Sequence, residues 1–177
     1  MKADRAMDHH RSNGRMHNVL AALTAPAPRA ASAAAAALPT PSAALLEIVA
    51  GLKDFDSPTI FNAVEQVTGD TTPSKCYTDH TIVNQLAELG SFIGFAVTVE
   101  VTTNDVDDRV TAGENTFAPY YDMLEATEGP LVAVFKDVDT NPGRGASFGD
   151  GMARQHRQNG VVGAVVEGTV RDLAGIR

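Results

Sequence analysis

The sequence predicts an α/β protein, and three stretches predict it. Two continuous apolar runs of strand length, LVAVF (Leu131 to Phe135) and VVGAVV (residues 161–166), read as buried strands. Between them lie a glycine-rich loop, TNPGRGASFGDG, and a helical stretch, MARQHRQNG, that Gly160 closes. Strand, loop, helix, strand, with polar residues gathered at the strand ends, is the crossover unit that joins parallel strands.

Length and composition bound the remaining choices. A chain of 177 residues is about one domain long, and a 44% hydrophobic share supports a real core. The net charge of −8 argues against a nucleic-acid partner, because phosphate binding needs clustered cations. The single cysteine, Cys76, excludes an intramolecular disulfide and fits a reducing compartment. Lacking a local helix start or a base beside it, Cys76 reads as structural. No apolar run approaches the roughly 20 residues of a membrane helix. The expectation is a soluble, acidic, cytoplasmic protein with neither nucleic acid nor membrane as partner.

From Ala21 to Ala44 the chain is nearly all Ala, Pro, Ser and Thr. That composition buries little and its prolines interrupt any helix, so residues 1–43 are expected to form a disordered arm and residues 44–177 the domain. Five cations against two aspartates give the stretch before Leu45 a charge of +3, which leaves −11 for the rest. The basic leader suits either a targeting segment or a gene start placed too far upstream. His9, His10 and His17 on this arm are not read as a metal site.

Order is expected from about Ser42. Leu45, Ile48, Val49 and Leu52 fall at helical spacing. In DSPTIFNAVEQVTG, Ser57 suits an N-cap, Pro58 the first helical position and Gly69 the stop, with Ile60, Phe61, Val64 and Val67 as the buried face. GFAVTVEVTT alternates: Phe95, Val97, Val99 and Val101 face inward from a half-buried strand. NDVDDR after it reads as a solvated acidic turn. Phe117, Tyr120, Tyr121 and Leu124 return to helical spacing.

Chemistry concentrates in the crossover unit. In SFGDGMA, Gly149 and Gly151 let backbone approach a ligand, and a helix start there favours an anion such as a carboxylate or phosphate. An ordinary loop with Asp150 capping the helix is the competing reading. The pair Arg171-Asp172 offers a planar donor fork beside a carboxylate that can hold Mg²⁺ or Mn²⁺; alone it is also a plain surface ion pair. Asp137 and Asp139 end the strand begun at Leu131, on the rim where α/β sheets bind ligands. His156 is read as packing rather than catalytic.

The stretch ASFGDGMARQHRQNGVVGAVVEGTVRDLAGIR, Ala146 to Arg177, resembles the RraA-like family, named for the regulator of ribonuclease activity A. LKDFDSPTIFNAVE and LGSFIGFAVTVEVTTND are similar to its N-terminal helix and first long strand, so the likeness runs from about Leu45 to Arg177. The resemblance implies helices around a central β-sheet or β-sandwich, with a swivelling-domain-like architecture. It implies a metal-dependent class II aldolase or decarboxylase, a lyase that releases pyruvate from small 2-oxo acids. Arg171 would bind the substrate's carboxylate or keto oxygen, and Asp172 would ligate Mg²⁺ (or Mn²⁺). Backbone N–H groups at Gly149, Asp150, Gly151 and Met152 would cradle the carboxylate. The family's aldolases place Glu or Asp three residues after the Asp, where this chain has Gly175, and many relatives carry glycine where this chain has Asp150. Homotrimers or hexamers are the family's assemblies, and its sequences run on past this motif, so the chain is read as a C-terminally truncated member. The alternative within the family is a non-catalytic regulator that binds a protein partner such as a ribonuclease.

Overall fold

The structure is a computed structural model and describes residues 38–69, 78–105 and 116–177. Cys76, residues 1–37 of the arm and the acidic turn beyond Asp105 lie outside the described residues. The three expected strands form one parallel sheet. Strand β1 (Phe95–Val101) pairs with β2 (Leu131–Asp137) from Phe95↔Leu131 to Val101↔Asp137, and β2 pairs with β4 (Val161–Glu167). The order β1-β2-β4 puts β2 in the centre, which is why its run is apolar on both faces: Leu131, Ala133 and Phe135 are fully buried on one, and Val132 on the other is 8% exposed. On β1 the alternation holds, with Val97 and Val101 buried and Ala96, Thr98 and Glu100 exposed.

Strand β4 departs from its expected burial. Among the described strands it occupies an edge, and only Val161 is buried, while Val162 is 46% exposed. The ring of Phe92 lies over Gly163 where any side chain would collide, so β4 takes part of its cover from a loop.

Helix α3 (Ala118–Glu125) lays Tyr120 and Leu124 into the core against Phe135. Helix α4 (Asp150–Gln158) crosses between β2 and β4, and Gly160, at φ +79°, makes the left-handed stop that the sequence suggests. The segment before α4 is not all loop. Ala146–Phe148 forms β3, which pairs in parallel with β5 (Thr169–Val170) as a second, two-stranded sheet. A short helix, α5 (Leu173–Ile176), follows.

Two N-terminal helices pack less than their stripes suggest. Helix α1 (Ala43–Leu52) is capped by Ser42, whose hydroxyl accepts from Leu45 N at 3.2 Å, and it buries only Val49. Helix α2 (Ser57–Thr68) is capped one residue earlier than expected: Asp56 Oδ1 accepts from Thr59 N at 2.8 Å, so Ser57 is the first helical residue. None of its residues is buried, and Val67 is 86% exposed. The stripe that periodicity assigns to the core instead lines an open apolar groove, where Ile60, Phe61 and Val64 meet Phe92 and Ile93. Among the described residues, no helix is long and apolar enough to cross a membrane.

Candidate functional site

The small β3–β5 sheet assembles the corner where the expected site residues meet. Phe148 and Val170 are register partners, and Arg171 N donates to Phe148 O at 3.0 Å. The residues that follow each strand are therefore side by side. Gly149 has no side chain where Arg171 lies: a Cβ there would stand 3.2 Å from Arg171 Cγ, 3.3 Å from its Nε and 3.6 Å from Asp172 Oδ2. Arg171 and Asp172 turn toward each other, Nε to Oδ2 at 3.3 Å, with side chains 74% and 53% exposed.

Asp172 sits at φ 60°, ψ 38°, the one non-glycine residue of positive φ among the described residues. Such a conformation is uncommon for a residue with a Cβ, aspartate being among the few enriched there, and costs on the order of 1 kcal/mol, the low end of the usual range. Its carbonyl accepts from Gly175 N at 2.8 Å as α5 begins. An exposed ion pair returns less than about 1 kcal/mol. The Arg171 contact and the Gly175 bond offset this cost only in part, and residues in this region cluster at functional sites.

Helix α4 starts at this corner with an extended Gly149 as N-cap and no side-chain cap. Ala153 N donates to Gly149 O at 2.9 Å, the first bond of the helix ladder. By helix geometry the N–H groups of Asp150, Gly151 and Met152 have no acceptor within the helix. One of them is already engaged, because Gly151 N donates to Asp150 Oδ1 at 2.6 Å. Residues 149–152, where a cradle is expected, thus form the start of α4, and the Asp150 carboxylate occupies one of its N–H groups.

The same aspartate reaches Gly175. An ideal Cβ on Gly175 would lie 2.7 Å from Asp150 Cβ and 3.0 Å from Asp150 Oδ2. The two positions compete for one space, and the carboxylate comes from the α4 side. Sequence reading notes each residue separately; only the packing of α5 on α4 reveals that they exclude one another.

Asp137 and Asp139 do sit at the strand rim, but they face backbone rather than an opening for a ligand. Asp137 accepts from Asp139 N (3.0 Å) and Gly143 N (2.7 Å). Asp139 gathers the N–H groups of Thr103, Asn104 and Asp105 and the Thr103 hydroxyl, all within 2.7–3.1 Å. Burial opposes the charge of Asp139. Hydrogen bonds from the Thr103 side chain and from the backbone of Asp105, Thr103 and Asn104 outweigh it and hold this carboxyl well below the usual carboxylate range. Both aspartates shape the rim loops. His156 packs, as the sequence suggests, 1% exposed among aromatic rings.

Among the described residues no cluster of three or more His, Cys, Asp or Glu is arranged to hold a metal. The two carboxylates of this corner, Asp172 and Asp150, are hard oxygen donors at an open surface. That donor set suits Mg²⁺ or Mn²⁺, which take one or two carboxylates and keep several waters, and does not suit zinc. A family model described as RraA-like: Aldolase/RraA matches residues 57–177. No curated protein and no solved structure matches the chain.

Proposed function

The chain belongs to the RraA-like family, and from that premise we propose that it is a divalent-metal-dependent carbon–carbon lyase that releases pyruvate from small 2-oxo acids. The observation that carries this reading is Asp172, held in a left-handed conformation beside Arg171 and over side-chain-free Gly149.

Each residue then has a task. Arg171 presents its guanidinium fork to the substrate's carboxylate or 2-oxo oxygen. The free N–H groups at the start of α4, from Asp150 and Met152, take the other carboxylate oxygen, helped by the positive end of the helix. Asp172 would hold Mg²⁺ or Mn²⁺, and Asp150 would supply the second carboxylate, in the space a side chain at 175 would otherwise fill. When bound, the metal ion supplies a Lewis acid for the 2-oxo group. In oxaloacetate the bond from C3 to the far carboxylate breaks, carbon dioxide leaves, the bond's electron pair forms a C2–C3 double bond, and negative charge develops on the 2-oxo oxygen. Arg171 stabilises that charge where it develops. Water at this open corner returns the proton that completes pyruvate.

Isothermal titration tests the assignment of roles. Mg²⁺ is expected to bind the wild-type chain and to lose its affinity in Asp172→Asn. Pyruvate added with Mg²⁺ should bind more weakly to Arg171→Lys, whose ammonium cannot replace the fork. Equal Mg²⁺ affinity in Asp172→Asn sinks the metal assignment and favours a regulator that binds a protein partner.

A further inference from the structure

The rim holds one turn, Gly143-Arg144-Gly145, from three sides. Asp137 accepts from Gly143 N at 2.7 Å, and Gly143 turns at φ +80°. Gly145 lies against Thr103, where a Cβ would collide with the threonine side chain, and Thr103 is itself tied to Asp139. From β5 the Thr169 hydroxyl donates to Gly145 O and lies 3.3 Å from Gly143 O. The backbone on both sides of Arg144 is therefore fixed, while Arg144 itself is exposed. Among the described residues no hydrogen bond or ion pair engages its guanidinium. Its neighbours differ: Arg157 donates to Ile176 O at 3.2 Å, and Arg177 pairs with Glu88 at 2.9 Å.

The Thr169 clasp brings this turn to the corner. Thr169 and Arg171 are two residues apart on extended chain, so they share a face and lie about 6.6 Å apart along it. Exposure follows that alternation: Thr169 and Arg171 are exposed, and Val170 between them packs on the core. Ala146, the register partner of Thr169, is exposed as well, and Gly149 adds no side chain beside Arg171. Small residues thus floor the way from the Arg144 turn to Arg171. We propose that Arg144 is a specificity-determining residue that holds the second, far carboxylate of a dicarboxylic 2-oxo acid whose first carboxylate is at Arg171. The inference rests on the reading of the Arg171 corner as a 2-oxo acid site.

Electrostatics makes such a residue necessary. The chain from Leu45 onward carries −11, a field that repels a dianion more than a monoanion. Selecting the dianion takes a local cation, and an unengaged guanidinium presents its donor fork without first breaking an internal bond. In oxaloacetate the far carboxylate loses its charge as carbon dioxide leaves. Arg144 therefore holds the ground state at least as tightly as the transition state. Its contribution belongs to KM, and kcat does not fall when it is removed.

Titration with saturating Mg²⁺ tests this with two acids, pyruvate and 2-oxoglutarate. The second is a dicarboxylic 2-oxo acid that lacks the departing carboxylate of oxaloacetate, so it binds without losing carbon dioxide. The wild-type chain is expected to bind 2-oxoglutarate about tenfold more tightly than pyruvate, the low end of what a charged hydrogen bond contributes. Arg144→Gln should abolish that preference and leave pyruvate affinity unchanged, and Arg144→Lys should restore part of it. Arg154→Gln removes the same charge from α4 and should keep the preference. With oxaloacetate as substrate, Arg144→Gln should raise KM about tenfold while kcat holds or rises.

Pyruvate that binds while 2-oxoglutarate binds no tighter, or binds Arg144→Gln equally well, overturns the inference and leaves the lyase reading standing. So does an equal loss for both acids in Arg144→Gln, which makes the turn a support of the corner, or a loss in Arg154→Gln that matches it, which makes the effect one of net charge. A preference that disappears in Arg144→Gln, in a chain that releases no pyruvate from oxaloacetate, counts against the lyase reading and leaves Arg144 as the second anion holder. Failure of both acids to bind the wild type overturns both.

Discussion

The carboxylate of Asp150 fills the space into which a side chain at Gly175 would grow: a Cβ on Gly175 would lie 2.7 Å from Asp150 Cβ and 3.0 Å from its Oδ2. One carboxylate fits between the start of α4 and α5, and in this chain α4 provides it. The neighbouring Gly151 N–H holds it in place. The glycine at 175 is thus the counterpart of the acid at 150.

That packing predicts a reciprocal exchange. Gly175→Glu alone puts two side chains in one space and should destabilise the fold by about 1–3 kcal/mol, as overpacking does. It should also weaken Mg²⁺ binding by displacing Asp150. The double change Asp150→Gly with Gly175→Glu removes the collision and returns a carboxylate from the other side, so both stability and Mg²⁺ affinity should recover. Thermal melts and Mg²⁺ titration of the three proteins check this; a single mutant that melts and binds like wild type argues against the shared space.

Backbone strain at Asp172 makes a separate prediction. Glycine adopts φ 60° without the Cβ penalty, and asparagine is among the few other residues enriched there. Without metal, Asp172→Gly and Asp172→Asn should therefore melt within about 1 kcal/mol of wild type, while Asp172→Val should fall further. Mg²⁺ should raise the melting temperature of the wild type alone. A metal-dependent rise that persists in Asp172→Asn removes this carboxylate from the ion.

Acid should loosen the rim through Asp139. Its carboxyl titrates below the ordinary unfolded value of about 3.9, because Thr103, Asn104 and Asp105 donate to its charged form. The stabilisation is therefore complete above that unfolded value and disappears as pH falls toward the folded one. Asp139→Asn cannot carry the charge, so it should melt lower at neutral pH, by about 5 °C or more. It should also lose less than the wild type between about pH 5 and pH 2. Parallel melting curves for the two proteins across that range contradict the assignment.

Much of this architecture was legible in the residues. β2 declares itself by five apolar residues in a row because it is central, and β1 by alternation because one face meets water. The reach from Gly149 to Arg171 could be anticipated from the motif, but its cause could not. β3 is three residues long and β5 two, too short for any periodicity, yet their pairing brings the corner together. The buried face expected on α2 failed because periodicity reports a stripe and not what covers it. Asp137 and Asp139 looked like rim ligands because composition alone cannot show backbone N–H groups arriving from residues 103–105.

Release of pyruvate from oxaloacetate tests the central claim most directly. With Mg²⁺ the wild-type chain is expected to liberate pyruvate, excess chelator should stop it, and Asp172→Asn should stop it while keeping its metal-free melt. Arg171→Lys should retain only a small fraction of the rate, since a point charge replaces a bidentate fork. Pyruvate release that continues in chelator, or that is equal in Asp172→Asn and wild type, contradicts the assignment of the Arg171-Asp172 corner as a metal-dependent lyase site.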